Sequence, residues 1–569
     1  MTSRTRPSRR LDVLRRLLAF RRSAIGRLIA ASAAVVLGAG PLMAATTSST
    51  EVLAQINGSG STWAQPAIEQ WINDTTAQGL QVSFNGQGSA QGRTDFRNDT
   101  TDFGVSDIGF QGFNPQDGSN DSACQNPPNG NCRAFAYLPI VAGGTAFPYQ
   151  IRVGGNLVEN LRLSGETIAK IFTNQIRNWD DPEITRDNNG HRLPDLPIIP
   201  VMDSEGSGAS FQFSAYLGRE FPSIWKPFNQ GSDAATEFFP RQGSAIAEAG
   251  SDGIMNFITS AAGNGAIGYD QYSYPKGENC PGCTSGWPVA LLQNKAGFFV
   301  APTQYNVAVA LTKAVINMNK SSPNYLLQTL NNVYTDPDKR AYALSSYSYM
   351  IIPTGANDPT MSQGKRQTLA NYIDWAICGG QAEIGPTGYS PLPVNLAQAS
   401  FAQMDKLHAA DHAVQISNLN VAKQCHNPTF FAGHPDGNLL AQIAPPPPSC
   451  DKAGVGPCPG ETGVTSTGNP LKGKAPPPAA RAPGSGSKTK AGHHGKVLVG
   501  AAVSVSASAS AAAAPGSAND TAADSKTIPS AQDAGEGVAL AVIAGLGALL
   551  LIAIPAVVAG RRQQRRAVR

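Results

Sequence analysis

Residues 56–62 read INGSGST, and this stretch decides the fold because it joins a strand to the start of a helix through glycine and serine. Two further stretches have the same design, NGQGSA at 85–90 and EGSGAS at 205–210. Glycine lets the backbone approach a ligand closely, serine and threonine add hydroxyl donors, and N–H groups at a helix start attract anions. One such turn is typical of a simple helix cap, but three in one chain indicate a shared anion site.

Strand-like and helix-like segments alternate around these turns. Residues 82–84 and 198–202 are typical of strands, whereas residues 64–72 and 211–217 have the pattern of helices. Alternation of this kind predicts a fold of α/β layers. The folded part, from about residue 52 to residue 444, is longer than a single core normally holds, so we predict two lobes.

The two ends of the chain set its net charge. The sequence has 44 basic and 40 acidic residues, but residues 1–44 contain nine arginines and one acid, and the last nine residues contain five arginines. The part between them carries 30 basic and 39 acidic residues, a net charge of −9. A nucleic-acid binder carries a basic excess on its folded part, so this class is excluded.

Both ends also have the pattern of membrane signals. An arginine-rich start followed by the apolar run 28–40 predicts a signal peptide over residues 1–44. The uncharged segment 538–560 predicts a transmembrane helix, which would leave the basic tail 561–569 in the cytoplasm. The Pro/Ser/Ala-rich segment 445–537 is predicted to be a disordered stalk. We therefore expect an exported protein, anchored in the cytoplasmic membrane with its lobes outside.

The eight cysteines suit an oxidising compartment. The sequence leaves their connectivity open, and pairing between neighbours is our working hypothesis. The pairs are then Cys124–Cys132, Cys280–Cys283, Cys378–Cys425 and Cys450–Cys458. The motif at 280–283 has the spacing of a redox site, but the Tyr, Pro and Gly residues around it mark a loop, which favours a structural disulfide.

Motifs for catalysis are missing from the sequence. It contains no Gly-x-Ser-x-Gly, no His-Glu-x-x-His and no Gly-Lys-Ser/Thr. A lone G-x-G-x-x-G at 263–268 precedes a strand-like segment, which is the wrong order for a dinucleotide loop. We therefore expect a binding protein with no enzymatic activity, no cofactor and no metal.

A series of ordered motifs resembles one family of binding proteins. The motifs are GSGST at 58–62, DFGVSD at 102–107, LPIVAGG at 138–144, LSGETI at 163–168, IRNWDDP at 176–182, EGSG at 205–208 and YSPLP at 389–393. From about residue 56 to residue 407 the chain is similar to the PstS family, the substrate-binding proteins of the phosphate-specific ABC importer. The resemblance implies the two-lobed periplasmic-binding-protein (type II) fold with a hinge.

The lobes are expected to be discontinuous in sequence. Lobe one would comprise residues 52–142 and 345–444, and lobe two residues 143–344. The chain would cross between them near residues 138–144 and return near 345–352, which makes a hinge. A ligand between the lobes would favour the closed state, which is then presented to an importer permease.

The resemblance implies a phosphate site to which the first two turns contribute. Ser61, Thr62 and Trp63 match the first turn, where Thr62 and its N–H contact phosphate and Trp63 stands where the family usually has Phe. Ser89 matches the serine of the second turn. These residues would supply neutral donors, so the acidic character of the exported part does not oppose anion binding.

The other implied ligand residues follow a strand and the third turn. Asp107 matches a carboxylate that accepts a hydrogen bond from a protonated phosphate oxygen, and this selects protonated phosphate over sulfate. Ser207 and Gly208 match the donors of the third turn. The implied ligand is therefore inorganic phosphate or a related oxyanion.

Two positions depart from the family pattern. Ala209 stands where a Thr or similar polar residue is usual, and Asp203 stands where the family has an Arg, two residues before the acidic Glu205. One interpretation is an exchanged charge pair, in which Arg93 of the second helix supplies the guanidinium and Asp203 pairs with it. The other is a changed specificity, for a neutral or cationic group of a phosphorylated ligand, or a loss of binding.

The sequence also fits a second functional class. A surface-anchored module with a binding-protein scaffold would serve adhesion or signalling without transport, and a C-terminal membrane helix suits that role too. Under the first hypothesis the partners are phosphate, an importer permease and the cytoplasmic membrane, with no nucleic acid.

Overall fold

The computed structural model describes residues 53–113, 120–124, 132–281, 283, 286–417, 419–434, 437–456 and 458. The predicted signal peptide, transmembrane helix and basic tail, and most of the predicted stalk, lie outside these residues. Within the described ranges, no helix is both long enough and apolar enough to cross a membrane.

The strands are numbered in chain order. They are β1 Ile56–Gly60, β2 Val82–Gly86, β3 Phe103–Ser106, β4 Gly112–Phe113, β5 Asn120–Asp121, β6 Phe135–Ala146, β7 Arg152–Val153, β8 Asn156–Leu157, β9 Arg162–Leu163, β10 Ile199–Asp203, β11 Ile246–Glu248, β12 Ala266–Gly268, β13 Asp270–Gln271, β14 Leu291–Gln293, β15 Phe299–Val300, β16 Val315–Ile316, β17 Gln328–Thr329, β18 Ser345–Pro353 and β19 Tyr389–Ser390.

The helices are numbered in the same way. They are α1 Gln65–Thr76, α2 Ser89–Arg97, α3 Gly165–Phe172, α4 Pro182–Asp187, α5 Gly208–Glu220, α6 Pro222–Phe228, α7 Gly250–Thr259, α8 Ser273–Gly277, α9 Gln304–Leu311, α10 Asn331–Tyr334, α11 Gln363–Ile377, α12 Val394–Ala410, α13 Val421–Gln424 and α14 Leu439–Ile443.

The largest sheet carries the first two glycine turns. Its strand order is β13-β6-β18-β3-β1-β2, and β19 also pairs with β6. Strand β1 lies between β2 and β3 and runs parallel to both, with Gly58 opposite Phe84 of β2 and Phe103 of β3. Because parallel strands end at the same edge of a sheet, the turns that follow β1, β2 and β3 lie side by side.

Two long buried strands connect the parts of the molecule. The antiparallel pair β6 and β18 runs from Gly144 opposite Ser345 to Phe135 opposite Pro353. We call these the hinge strands, the chain between them lobe two, and the part built on β1, β2 and β3 lobe one. The chain therefore passes between the lobes twice, on adjacent strands.

Lobe two carries the third glycine turn on a sheet of its own. The parallel order β11-β10-β12 places Val201 of β10 between Ile246 and Gly268. Helix α5 packs on this lobe through Phe213, whose ring centroid lies 5.1 Å from that of Tyr269. Burial of these rings positions the start of α5 at the end of β10, where the turn lies.

The disulfides join neighbouring cysteines, which confirms the working hypothesis of neighbour pairing. The bonds are Cys124–Cys132, Cys280–Cys283, Cys378–Cys425 and Cys450–Cys458. The bond between Cys378 and Cys425 closes 47 residues of chain and ties the segment after α12 to the end of α11.

The C-terminal extension, which is the chain after α12, first packs on lobe one. Besides the Cys378–Cys425 bond, the amide of Asn427 donates to the carbonyl of Leu392 at 3.0 Å. The helix α14 then packs against α9, and the Arg340 guanidinium donates to the last carbonyls of α14 and its cap. This segment is therefore part of the folded body.

The predicted start of the disordered stalk at residue 445 is wrong, because residues 445–456 continue onto lobe two. Asp451 forms an ion pair of 2.6 Å with the buried Arg162. The main-chain N–H of Ala453 donates to the carbonyl of Gly297 at 2.9 Å. The prediction of disorder was based on composition, which reflects how much apolar surface a segment can bury. This segment is instead held by main-chain hydrogen bonds and by a buried charge on another part of the chain.

Candidate functional site

The first turn joins β1 to α1 and packs against the end of β3. Gly60 has a φ of +142°, and a Cβ there would lie 1.9 Å from the carbonyl oxygen of Val105, so only glycine fits. The hydroxyl of Ser61 donates to both carboxylate oxygens of Asp107, at 2.9 and 2.8 Å. The turn therefore places its first hydroxyl on that carboxylate.

The next two residues contact lobe two and a hinge strand. The hydroxyl of Ser251 donates to Thr62 Oγ1 at 3.3 Å, and the Tyr274 hydroxyl donates to the Thr62 carbonyl at 2.6 Å. The buried Trp63 donates its indole N–H to Thr145 Oγ1 of β6 at 3.2 Å. Thr62 is thus at the interface between the lobes, and Trp63 packs beside the hinge.

The second turn begins α2 with Ser89. Its Oγ donates to Asp107 Oδ2 at 3.0 Å and accepts the main-chain N–H of Asp107 at 3.2 Å. The N–H of the following residue, Ala90, donates to the carbonyl of Gly206 on lobe two at 3.0 Å. The second turn therefore contacts both the carboxylate and the opposite lobe.

The third turn approaches Asp107 from lobe two. Ser207 caps α5 by accepting the N–H groups of Ala209 and Ser210 at 3.1 and 3.4 Å. A Cβ on Gly208 would lie 2.5 Å from Asp107 Oδ2, so the backbone comes closer than any other residue permits. All three turns therefore meet at one carboxylate, with Ala209 beside them at the helix start.

Asp107 follows β3 and is 2% exposed. Burial raises the pKa of this carboxyl, and hydrogen bonds from serine hydroxyls oppose that shift. From lobe two, the amide of Gln212 donates to its main-chain carbonyl at 3.3 Å. The residue therefore lies at the centre of the contacts between the two closed lobes.

Asp203 and Glu205 lie at the end of β10 but differ in their partners. Glu205 accepts the N–H of Gly250 at the start of α7, at 3.0 Å. Asp203 is 7% exposed and accepts a long hydrogen bond of 3.4 Å from the Ser210 hydroxyl. Burial and the neighbouring Glu205 charge raise the pKa of Asp203 to about 7.

The predicted pairing of Arg93 with Asp203 is wrong. The Arg93 Nε donates to Asp121 at 2.9 Å, its Nη1 to Ser106 Oγ at 2.7 Å, and its Nη2 to Glu237 at 2.6 Å. The guanidinium is fully buried, and its ion pair with Glu237 joins lobe one to lobe two. Asp121 and Glu237 therefore pair with Arg93 in place of Asp203.

Sequence reasoning missed both carboxylates that hold Arg93. Asp121 and Glu237 are 28 and 144 residues away along the chain, and neither belongs to a glycine turn. Glu237 is nevertheless close to the site, because its carbonyl accepts the N–H of Ser207 at 3.1 Å. No local pattern in the sequence marks it.

The site offers hydroxyl and main-chain donors around one buried carboxylate. In the part of the chain that the structure describes, no group of His, Cys, Asp and Glu is arranged to hold a metal ion. Neutral donors beside a hydrogen-bond acceptor suit a small ligand with both oxygen acceptors and a proton to donate.

A cleft between two α/β lobes joined by adjacent strands defines the class of two-lobed solute-binding proteins. A family model described as the PBP superfamily domain matches residues 45–379. The chain therefore belongs to the PBP superfamily.

Two sequence relatives confirm the predicted resemblance to the PstS family. The phosphate-binding protein PstS of Pasteurella multocida is 28% identical over 352 residues, which cover 61% of this chain and 89% of that protein. PstS 2 of Mycobacterium tuberculosis is 29% identical over 343 residues, which cover 60% and 83%. A solved high-affinity periplasmic phosphate-binding protein, bound with phosphate, is 21% identical with a TM-score of 0.46, over 65% of this chain and 98% of that chain.

Proposed function

We propose that this protein captures inorganic phosphate between its two lobes and delivers it to an ABC importer. The observation that carries the proposal is the meeting of three glycine turns, from both lobes, at the buried carboxylate of Asp107. The names of the similar PstS proteins support phosphate as the ligand. The protein is a binding component and not an enzyme.

The donors of the turns suit a tetrahedral oxyanion. A serine hydroxyl rotates about its Cβ–Oγ bond, so Ser61 and Ser89 can donate to a ligand oxygen as readily as to Asp107. The main-chain N–H groups of Ser89 at the start of α2 and of Gly208 at the start of α5 add donors, together with the positive ends of two helix dipoles. Asp107 then accepts the proton of a phosphate hydroxyl, which sulfate lacks at neutral pH.

Closure of the lobes couples binding to transport. Ligand that contacts Ser89 on lobe one and Ser207 on lobe two stabilises the closed state by its differential affinity for that state. An importer that recognises the closed form then receives only loaded protein. Opening at the hinge strands releases the phosphate.

Export and anchoring complete the proposal. The signal peptide at 1–44 would direct the chain across the cytoplasmic membrane, and the helix at 538–560 would hold it there. A flexible tether in the same membrane as the permease raises the effective concentration of the binding protein around it. The importer role predicts that deletion of the gene lowers phosphate uptake at low external phosphate.

Calorimetry on the full-length, ligand-stripped protein tests the ligand. We expect micromolar phosphate binding, about −8 kcal/mol, and no sulfate binding. The variant Gly208→Ala should lose phosphate binding, because its methyl group would lie 2.5 Å from Asp107 Oδ2 and 2.8 Å from Ser89 Oγ in the closed state.

A matched glycine elsewhere in lobe two serves as the control. Gly277 ends α8, and a Cβ there would meet no atom within 4 Å, so Gly277→Ala should keep the wild-type affinity. Absence of phosphate binding by the folded wild-type protein would refute the proposal. Full affinity in Gly208→Ala would refute the assignment of the cleft.

A further inference from the structure

Arg93 brings no net positive charge to the cleft. Its buried guanidinium lies 2.9 Å from Asp121 and 2.6 Å from Glu237, two carboxylates against one cation. The remaining nitrogen, Nη1, donates to Ser106 Oγ at 2.7 Å. Every guanidinium nitrogen is therefore engaged by the protein, and a ligand anion finds no uncommitted charge on this side chain.

Three other carboxyl groups are buried in the same region, and none of them has an ion-pair partner among the described residues. Asp107, Asp203 and Asp270 are 2%, 7% and 1% exposed. No lysine or arginine of the described ranges forms an ion pair with any of the three. They are hydrogen-bonded only by hydroxyl and main-chain donors. The region that receives the ligand is therefore acidic.

Asp203 faces acidic or neutral groups from each element packed against it. They are Glu205 and Ser207 of its own turn, Glu248, which is paired with it on β11, Ser210 of α5, Asp107 after β3, Asp270 of β13, and the Tyr269 hydroxyl, which lies 2.6 Å from the Ser210 hydroxyl. An oxyanion beside this carboxyl meets like charge unless a proton lies between the two oxygens.

We propose that Asp203 shares a proton with the bound phosphate, so that the site selects the dihydrogen, singly charged form. This inference rests on the proposed function, because it assigns a role to a residue of the same cleft. Asp107 accepts a hydrogen bond from one ligand proton, and Asp203, ionised in the complex, accepts one from the second. The dianion carries one proton only and leaves one of these carboxyl groups facing an unprotonated oxygen.

The surroundings of Asp203 agree with this role. Burial and the Glu205 charge raise the pKa of Asp203 to about 7, so the unliganded protein holds the proton below neutral pH and loses it above. Above that pH, the complex takes up a proton from solvent for each phosphate bound. Phosphate affinity therefore falls as the pH rises through the alkaline side of neutrality.

Calorimetry of the full-length protein with inorganic phosphate, between pH 5.5 and 8.5, tests the proposal. Titrations in two buffers of different ionisation enthalpy count the protons taken up. We expect the wild-type affinity to fall about tenfold per pH unit above pH 7.5, with about one proton taken up per phosphate. In Asp203→Asn we expect less than a twofold change over that interval and no proton uptake.

Asp405→Asn is the matched control, because Asp405 is an exposed carboxylate on α12 of lobe one. This variant should keep the wild-type dependence of phosphate affinity on pH and the same number of protons taken up per phosphate. If Asp203→Asn does not fold, Asp203→Ser removes the same carboxyl with a smaller side chain.

Two results overturn the inference and leave the proposed function standing. One is a wild-type affinity for phosphate that does not change above neutral pH. The other is a dependence of phosphate affinity on pH that persists in the folded Asp203 variant, because another carboxyl would then carry the proton. Absence of phosphate binding at every pH would overturn the proposed function as well, so the two failures are distinguishable.

Discussion

The two sides of the cleft contain buried charges that the protein accommodates in opposite ways. On lobe one, Arg93 is neutralised by two carboxylates and engaged at every nitrogen. On lobe two, Asp203 has hydroxyl neighbours and other acids but no cation. A buried charge is stabilised either by a paired charge or by a change of protonation, and this molecule uses one solution on each side.

Among the variants at the two sides of the cleft, the largest change in stability is expected at Arg93. Replacement by Met removes the cation and leaves Asp121 and Glu237 without their partner, which should lower the free energy of unfolding by about 3–5 kcal/mol. Urea denaturation at pH 7 measures this. Arg219→Met, at an exposed position of α5, is the control and should stay within about 0.5 kcal/mol of wild type. A loss below about 1 kcal/mol at Arg93 would contradict the paired-charge account.

Asp203→Asn should instead raise the free energy of unfolding, by an amount that depends on pH. The folded-state pKa of about 7 lies above the unfolded value of about 3.9, so the native state binds more protons in between, and the stability from this group falls as the pH rises from about 4 to 7. The variant should therefore be more stable than wild type by about 2–4 kcal/mol at pH 8 and nearly unchanged at pH 4. Urea denaturation at both pH values checks this, and equal effects at both would refute protonation as the cause.

Glu237→Gln tests the link between the lobes. Arg93 keeps Asp121 but loses its charged hydrogen bond to lobe two, which should cost about 1.5–3 kcal/mol of stability. Small-angle scattering should show a larger radius of gyration, because one contact of the closed state is weakened. A double variant with Arg93→Met should lose less than the sum of the two single losses, and strict additivity would show that the pair is not coupled.

The smallest effect is expected outside the cleft, at Glu166. This residue of α3 is 53% exposed and pairs with Lys170, which also contacts Glu183 at 2.7 Å. Glu166→Gln should cost about 0.3–0.5 kcal/mol, and less at high salt, because solvent screens exposed charges. Denaturation at low and high salt measures the difference. A loss of stability as large as that of Glu237→Gln would show that burial does not explain why buried ion pairs contribute more than exposed ones.

Local sequence was sufficient for the parts of the site that depend on backbone conformation. The three glycine turns occur where INGSGST, NGQGSA and EGSGAS predict them, each between a strand and a helix. The Ser207 cap of α5 is decided by residues within a few positions. Neighbour pairing of the cysteines was predictable for the same reason, since most of the bonds close short loops.

Only the tertiary structure decided the partners of the buried charges and the course of the C-terminal extension. Arg93 pairs with Glu237 from 144 residues away, Asp203 is left without a cation, and residues 445–456 pack on lobe two through Asp451 and Arg162. The physical reason is the separation along the chain between the groups that interact. A turn or a cap is satisfied by atoms that covalent geometry already holds close together, whereas a buried charge takes whichever partner the folded chain brings within about 3 Å, and no local pattern encodes that choice.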